Sequence, residues 1–269
     1  MMEARRRKEV PMSHGSESTP SLRRELAAHA VALTLCVGIF AFLFQPWKTD
    51  PRIPVDYPGD ALVHTGWIQN IVETGWFDTN DRWGYPGRQD LSDFPSTDAL
   101  HHLTFKFLAL FTSDAFLLFN LFYFLTFPLT TIAALFVLRR LGVAAPIAIV
   151  IGLLYTFQPY HLLRVGHLLL SAYYLAPFAC LIALRIYQER PYLAREDDAR
   201  GRRNGDAIVA VALCAALGAN GAYYAFFSCF LILVGGLAGA WTNRRWMPAL
   251  RAGGLCGVAL PAFLAPAAR

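Results

Sequence analysis

The chain has 269 residues, of which 55% are hydrophobic and only 16% charged, where an ordinary soluble domain carries about 25% charge. With a formal net charge of +5 and a mean hydropathy of +0.38, this balance excludes a cytosolic enzyme, a secreted disulfide domain and a disordered chain. Long charge-free stretches predict an all-α, polytopic membrane helix bundle.

Residues 1–25 are polar and basic (Arg5, Arg6, Arg7, Lys8, Arg23, Arg24) and precede a charge-free run over 26–44. The run is too long for a signal peptide, and Gln45-Pro46-Trp47-Lys48 offers no small-residue cleavage site. It predicts an uncleaved first span behind a cytoplasmic N-terminus. Further spans are expected at 115–138, at 143–157 and at 168–184, with a polar loop over 187–206. Residues 207–241 carry no charge at all, which is too long for one crossing. Gly218-Ala219-Asn220-Gly221 supplies a break, so two short spans or a re-entrant hairpin are expected. A last span begins near Ala252. Seven crossings put seventeen of the 24 Lys and Arg on one side, which that asymmetry marks as cytoplasmic. Trp47, Trp67, Trp76 and Trp83 fall on the other side, as interfacial anchors do. All five cysteines lie in apolar segments, without Cys-x-x-Cys spacing, and read as packing residues. Gly235, Gly236 and Gly239 read as helix-packing material.

Residues 45–114 form the one long hydrophilic segment and hold ten of the 19 acids. The spans hold none, which argues against a proton pump or ion-coupled transporter. After Pro51, Pro54 and Pro58, residues 61–74 predict an amphipathic helix. Val63, Trp67 and Ile71 with Leu62, Ile68 and Val72 form its apolar face, and His64, Gln69, Asn70 and Glu73 lie off it. A second helix runs from Pro95-Ser96 to Phe111, with Leu100, Leu103, Phe107, Leu108 and Phe111 on one side and His102 and Lys106 on the other. Both are expected to lie on the membrane surface, apolar faces down.

Three constellations carry the chemistry. Asp60, just before an apolar-periodic run, reads either as an N-cap or as a carboxylate held at the bilayer surface with His64 one turn on. His161, Arg164 and His167, spaced by three between spans three and four, fall on one helical side. They read either as snorkelling boundary residues or as cations for a phosphate, which suits the planar donor fork of Arg164. Asp98, His101 and His102 have the composition of a metal site, but adjacent helical side chains diverge by about 100°, so no metal ligands are assigned. A divalent cation stays open as a cofactor. No phosphate loop, dinucleotide turn, nucleophile elbow or zinc-protease motif occurs.

The order of Gly59-Asp60-Ala61, Trp67 to Gly75-Trp76, Asn80, Gly84 to Gly87, Asp93-Phe94-Pro95, Asn120-Leu121, Pro159-Tyr160-His161 to Arg164, and Gly166-His167 resembles the C-type (GT-C) membrane glycosyltransferases. More narrowly it is similar to bacterial glycosyltransferase-like integral membrane proteins. The resemblance implies a transmembrane domain over 26–269 whose external loop, 45–114, is catalytic. It implies transfer of a hexose or pentose from a polyprenyl-phosphate donor to a glycan, lipid or protein acceptor outside the cytoplasmic membrane, with no nucleic-acid partner. Asp60 would be the base. His64, Glu73, Asn80, Asp93, His161, Arg164 and His167 would bind donor or substrate, with Asp56 or Glu73 as a second acid. Trp67, Trp76 and Tyr85 would stack on sugars. Members of that family are longer, so the chain is expected to be a fragment. The alternatives are a translocase for a lipid-linked sugar or polysaccharide, which should carry polar residues along its spans, and a non-catalytic scaffold.

Overall fold

The computed structural model describes residues 22–91, 98–193 and 203–264. The basic residues before Leu22 and the expected binding residue Asp93 lie outside them. The chain is an all-α bundle in which ten helices and one 3-10 segment are described. In chain order these are α1 (Leu22–Phe44), α2 (Asp60–Thr74), α3 (Ala99–Leu108), α4 (Ala115–Arg140), α5 (Ala145–Thr156), α6 (Pro159–Leu163), the 3-10 segment Val165–Ser171, α7 (Ala176–Tyr187), α8 (Arg203–Gly218), α9 (Ala222–Asn243) and α10 (Met247–Leu264). Six helical stretches are long and apolar enough to cross a membrane. The seventh expected crossing is α8, whose apolar part, Gly205–Gly218, is shorter. The break between α8 and α9 falls at Ala219-Asn220-Gly221, with Gly221 at φ 100°. The last helix starts at Met247, ahead of the expected Ala252.

Charge-free sequence becomes helix here because every backbone polar group must be satisfied within its own segment. Asp114 caps α4 by accepting from the Phe116 and Leu117 amides, both at 3.0 Å. α7, α9 and α10 pack closely through glycines. A Cβ on Gly235 would stand 2.5 Å from the Ala183 carbonyl oxygen, and one on Gly236 2.4 Å from Ala252 Cβ. All five cysteines are free.

The hydrophilic segment over 45–114 departs from a flat surface layer. α2 packs against α4 and the 3-10 segment. It buries Ala61, Thr65, Ile68, Asn70 and Ile71 and leaves Leu62 and Val63 exposed. α3 keeps the expected split into an apolar and a polar side. His101, His102 and Phe105 are buried, whereas Leu103 and Phe107, and Leu110 and Phe111 just beyond the helix, are exposed. The periodicity holds, with the apolar stripe facing outward and the polar one facing protein. Between the helices lies a hairpin unforeseen from sequence, with β1 (Thr79–Asn80) paired antiparallel to β2 (Gln89–Asp90). Asn120 of α4 ties down the proline-rich stretch ahead of α2. It donates to the Pro51 and Ile53 carbonyls, both at 2.7 Å, and accepts from the Val55 amide at 2.9 Å.

Candidate functional site

A cavity of about 630 Å³ opens where the start of α2, the approach to α3, α6, the 3-10 segment and the start of α9 converge. Its polar lining is Asp60, His64, Asp98, Arg164 and His167, and its aromatic lining includes Trp67, Tyr160, Tyr223 and Tyr224.

Asp60 is the first residue of α2. The cap position belongs to Gly59, at φ 62°, and no side chain caps the helix. The N-cap reading is therefore not what the structure adopts. Instead Asp60 Oδ2 lies 2.7 Å from His167 Nδ1, and both side chains are about half exposed to the cavity. His167 reaches this position because the 3-10 segment kinks there (φ −97°, ψ 62°). Its neighbours Val165, Leu168 and Leu169 turn into the core. Arg164 stands at the preceding break, exposed, with its guanidinium 5.7 Å from the Tyr160 ring centre. Among the described residues it has no carboxylate partner. A cation over an aromatic face keeps its donors for a ligand.

The second acid of the cavity is Asp98, not Asp56 or Glu73. Burial alone would raise its carboxyl, but the hydrogen bond and charge of His101, with His102 and His64 beyond, hold it below the usual carboxylate range. Asp98 Oδ1 sits 3.5 Å from His101 Nδ1. On its other side it abuts the backbone of Gly221, where a Cβ would stand 2.4 Å from the same oxygen. The Leu100 amide donates to the Ala219 carbonyl at 3.0 Å, and buried Asn220 donates to the Ala172 carbonyl at 3.3 Å. The α8–α9 break therefore closes one wall of the site. His64 lies within electrostatic reach of both Asp60 and Asp98, yet burial dominates and pulls its pKa down to about 4. His64 Nδ1 and His101 Nε2 are buried without a hydrogen-bond partner.

Four expected site residues are not in this cavity or are not described. His161 is fully buried. Its Nδ1 lies 2.8 Å from the Thr156 carbonyl and its Nε2 2.8 Å from Thr126 Oγ1, and its ring stacks on Phe127 at 4.0 Å. The expected single helical side fails because α6 ends at Leu163, so the ring six residues before His167 turns to the opposite environment. Glu73 accepts from Gln69 at 2.8 Å and from Asn80 at 3.1 Å, and these bonds lower its pKa. Asn80 also accepts from the Arg82 amide at 2.9 Å. The pair fastens the end of α2 to the hairpin and binds no cavity. Asp93 falls outside the described residues. Trp67 lines the cavity, whereas Trp76 lies under Lys106 and Tyr85 is 96% exposed. His101 and His102 diverge as helical geometry requires, since His102 stacks on Phe77 at 4.1 Å.

The sequence profile of one family, a domain of unknown function (DUF6311), matches residues 76–268. The chain belongs to that family. The span matched by DUF6311 contains Asp98, Arg164, His167 and Gly221, and begins after Asp60 and His64. No curated protein and no solved structure matches the chain.

Proposed function

We propose that the chain is a membrane glycosyltransferase, moving a sugar from a polyprenyl-phosphate carrier onto an acceptor hydroxyl at the external face of a bacterial cytoplasmic membrane. One observation carries the reading: a single cavity combines a carboxylate–imidazole pair with an arginine that has no carboxylate partner among the described residues. Glycosyl transfer from a lipid phosphate needs those two functions close together. The Asp60–His167 pair accepts the hydroxyl proton. Arg164 stabilises the negative charge that develops on the departing phosphate. Exposed Leu163, Tyr223 and Phe227 near the mouth give a hydrocarbon chain an apolar approach. The arginine asymmetry supports an external cavity and a cytoplasmic N-terminus. A membrane-impermeant thiol reagent added outside should label Asp90→Cys and spare Glu189→Cys.

The activity test uses the full chain in nanodiscs with a radiolabelled polyprenyl-phosphate sugar and a panel of acceptors. Wild type should release polyprenyl phosphate and transfer the label. Asp60→Asn should still bind donor but transfer it roughly 10²–10⁴-fold more slowly. A wild type that neither binds donor nor moves sugar would rule the proposal out.

A further inference from the structure

We infer that the proton acceptor in this cavity is Nε2 of His167 and that Asp60 is a positioning residue that holds the ring; the inference rests on the glycosyl-transfer reading. A carboxylate only accepts hydrogen bonds, so the 2.7 Å contact with Asp60 Oδ2 requires the proton to sit on His167 Nδ1. That fixes the tautomer and leaves the lone pair on Nε2, which has no partner among the described residues. An imidazole is by nature a stronger base than a carboxylate by about two pKa units.

The other histidines near the site do not compete. His161 has both ring nitrogens engaged in the core. His64 is desolvated, with its pKa pulled down to about 4, and its Nδ1 is buried. Among the described histidines only His167 combines a half-exposed ring with a carboxylate behind it, and the kink in its own segment turns it to the cavity. The charged groups facing it are Asp60 and His64 from α2, Asp98 from the approach to α3, and Arg164 from the end of α6. Asp56 approaches the adjacent Gly166, its Oδ2 lying 3.0 Å from where a Cβ would stand.

In the step itself, the acceptor hydroxyl proton moves to Nε2 while the oxygen forms its bond to the anomeric carbon. The bond from that carbon to the phosphate oxygen breaks, and its electron pair stays on the lipid phosphate beside Arg164. The imidazolium that results is paired with Asp60 until it returns its proton to water.

The test compares four variants of the reconstituted full chain. His167→Gln keeps a donor toward Asp60 but has no basic nitrogen, so transfer should fall at least about 100-fold with donor affinity retained. Added imidazole should restore transfer in His167→Ala and leave Asp60→Ala inactive. Asp60→Asn should lose the Nδ1–H tautomer that ¹⁵N spectra of labelled histidine would report in wild type. Wild-type turnover in His167→Gln, or loss of donor binding there, would overturn the inference. So would an Nε2–H tautomer in wild type. In those cases wild type still moves sugar, whereas failure of the underlying reading leaves wild type itself inactive.

Discussion

At the arginine-rich end of the bundle, Arg139 pairs with Glu25 at 2.6 Å and Arg140 donates to the Leu193 carbonyl at 2.6 Å. Arg185, only 1% exposed, donates to the Arg140 carbonyl at 2.7 Å, and Asp206 accepts from the Leu193 amide at 2.6 Å. At the cavity end, Arg164 has only an aromatic face beside it among the described residues, and the buried His64 Nδ1 and His101 Nε2 have no hydrogen-bond partner. The same residue types thus serve two ends differently. Charges at the closed end are bonded within the chain and hold helices together. Those at the open end keep capacity for something that is not protein.

That contrast can be broken by exchanging which property each end loses. Arg139→Ala removes the 2.6 Å ion pair with the partly exposed Glu25 and should cost about 2 kcal/mol of stability while leaving donor affinity unchanged. Thermal unfolding in detergent, beside a donor-binding isotherm, reads both. His161→Ala removes two hydrogen bonds and a ring stack, so it too should lower stability, by about 2–3 kcal/mol, and spare donor binding. Loss of affinity in either variant would erase the division between the ends.

Arg164→Ala should do the reverse. Its unfolding midpoint should stay at the wild-type value, and donor affinity should fall about 10- to 100-fold, the worth of a charge-assisted hydrogen bond. Arg164→Lys should lie between the two, since lysine keeps the charge but not the planar fork. Equal affinity in wild type, Lys and Ala would remove Arg164 from the site.

A smaller effect concerns pH. His64 binds its proton near its ordinary value of 6.5 when unfolded and only near 4 when folded. The unfolded state therefore holds more protons in that interval, and stability should fall as pH drops from 6.5 toward 4. His102, held near 3, acts in the same direction and extends the decline. Asp98, lowered as a carboxylate, adds a further loss at still lower pH. His64→Asn should flatten part of the decline above pH 4; an unchanged slope would mean its burial is not what unsettles the cavity end in acid. The smallest effect belongs to Glu73→Ala, which should leave transfer within about twofold of wild type because its bonds reach only Gln69 and Asn80.

The spans were legible because hydrocarbon admits no charge, so a charge-free run of sufficient length marks a crossing. The α8–α9 break was legible in Gly218-Ala219-Asn220-Gly221 for a similar reason, since glycine alone tolerates the backbone of Gly221. Asp60, Arg164 and His167 were nameable as chemistry, and the cavity does unite them. His161 was misjudged because spacing of three assumes an unbroken helix, and neither Pro159 nor Gly166 states where the break falls. The apolar stripe of α3 was legible, whereas the burial of His101 and His102 was not, because periodicity does not say what the opposite side packs on. Asp98 needed the docking of α3 against Ala219 and Gly221, more than a hundred residues later. The polar flank His101-His102 behind Asp98 was legible as metal-like spacing, but not as the burial that makes Asp98 part of a cavity wall.

Gly221 gives the site a handle that involves no charge. A methyl group there would press on Asp98 Oδ1 and would also have to adopt a backbone angle that side chains resist. Gly221→Ala thus displaces a carboxylate by contact alone, while every ionisable group in the cavity keeps its identity. Ligand preference and charge, ordinarily altered together when a polar site is mutated, become separable at this one position. The cavity can therefore be tuned from a residue that contributes no functional group at all.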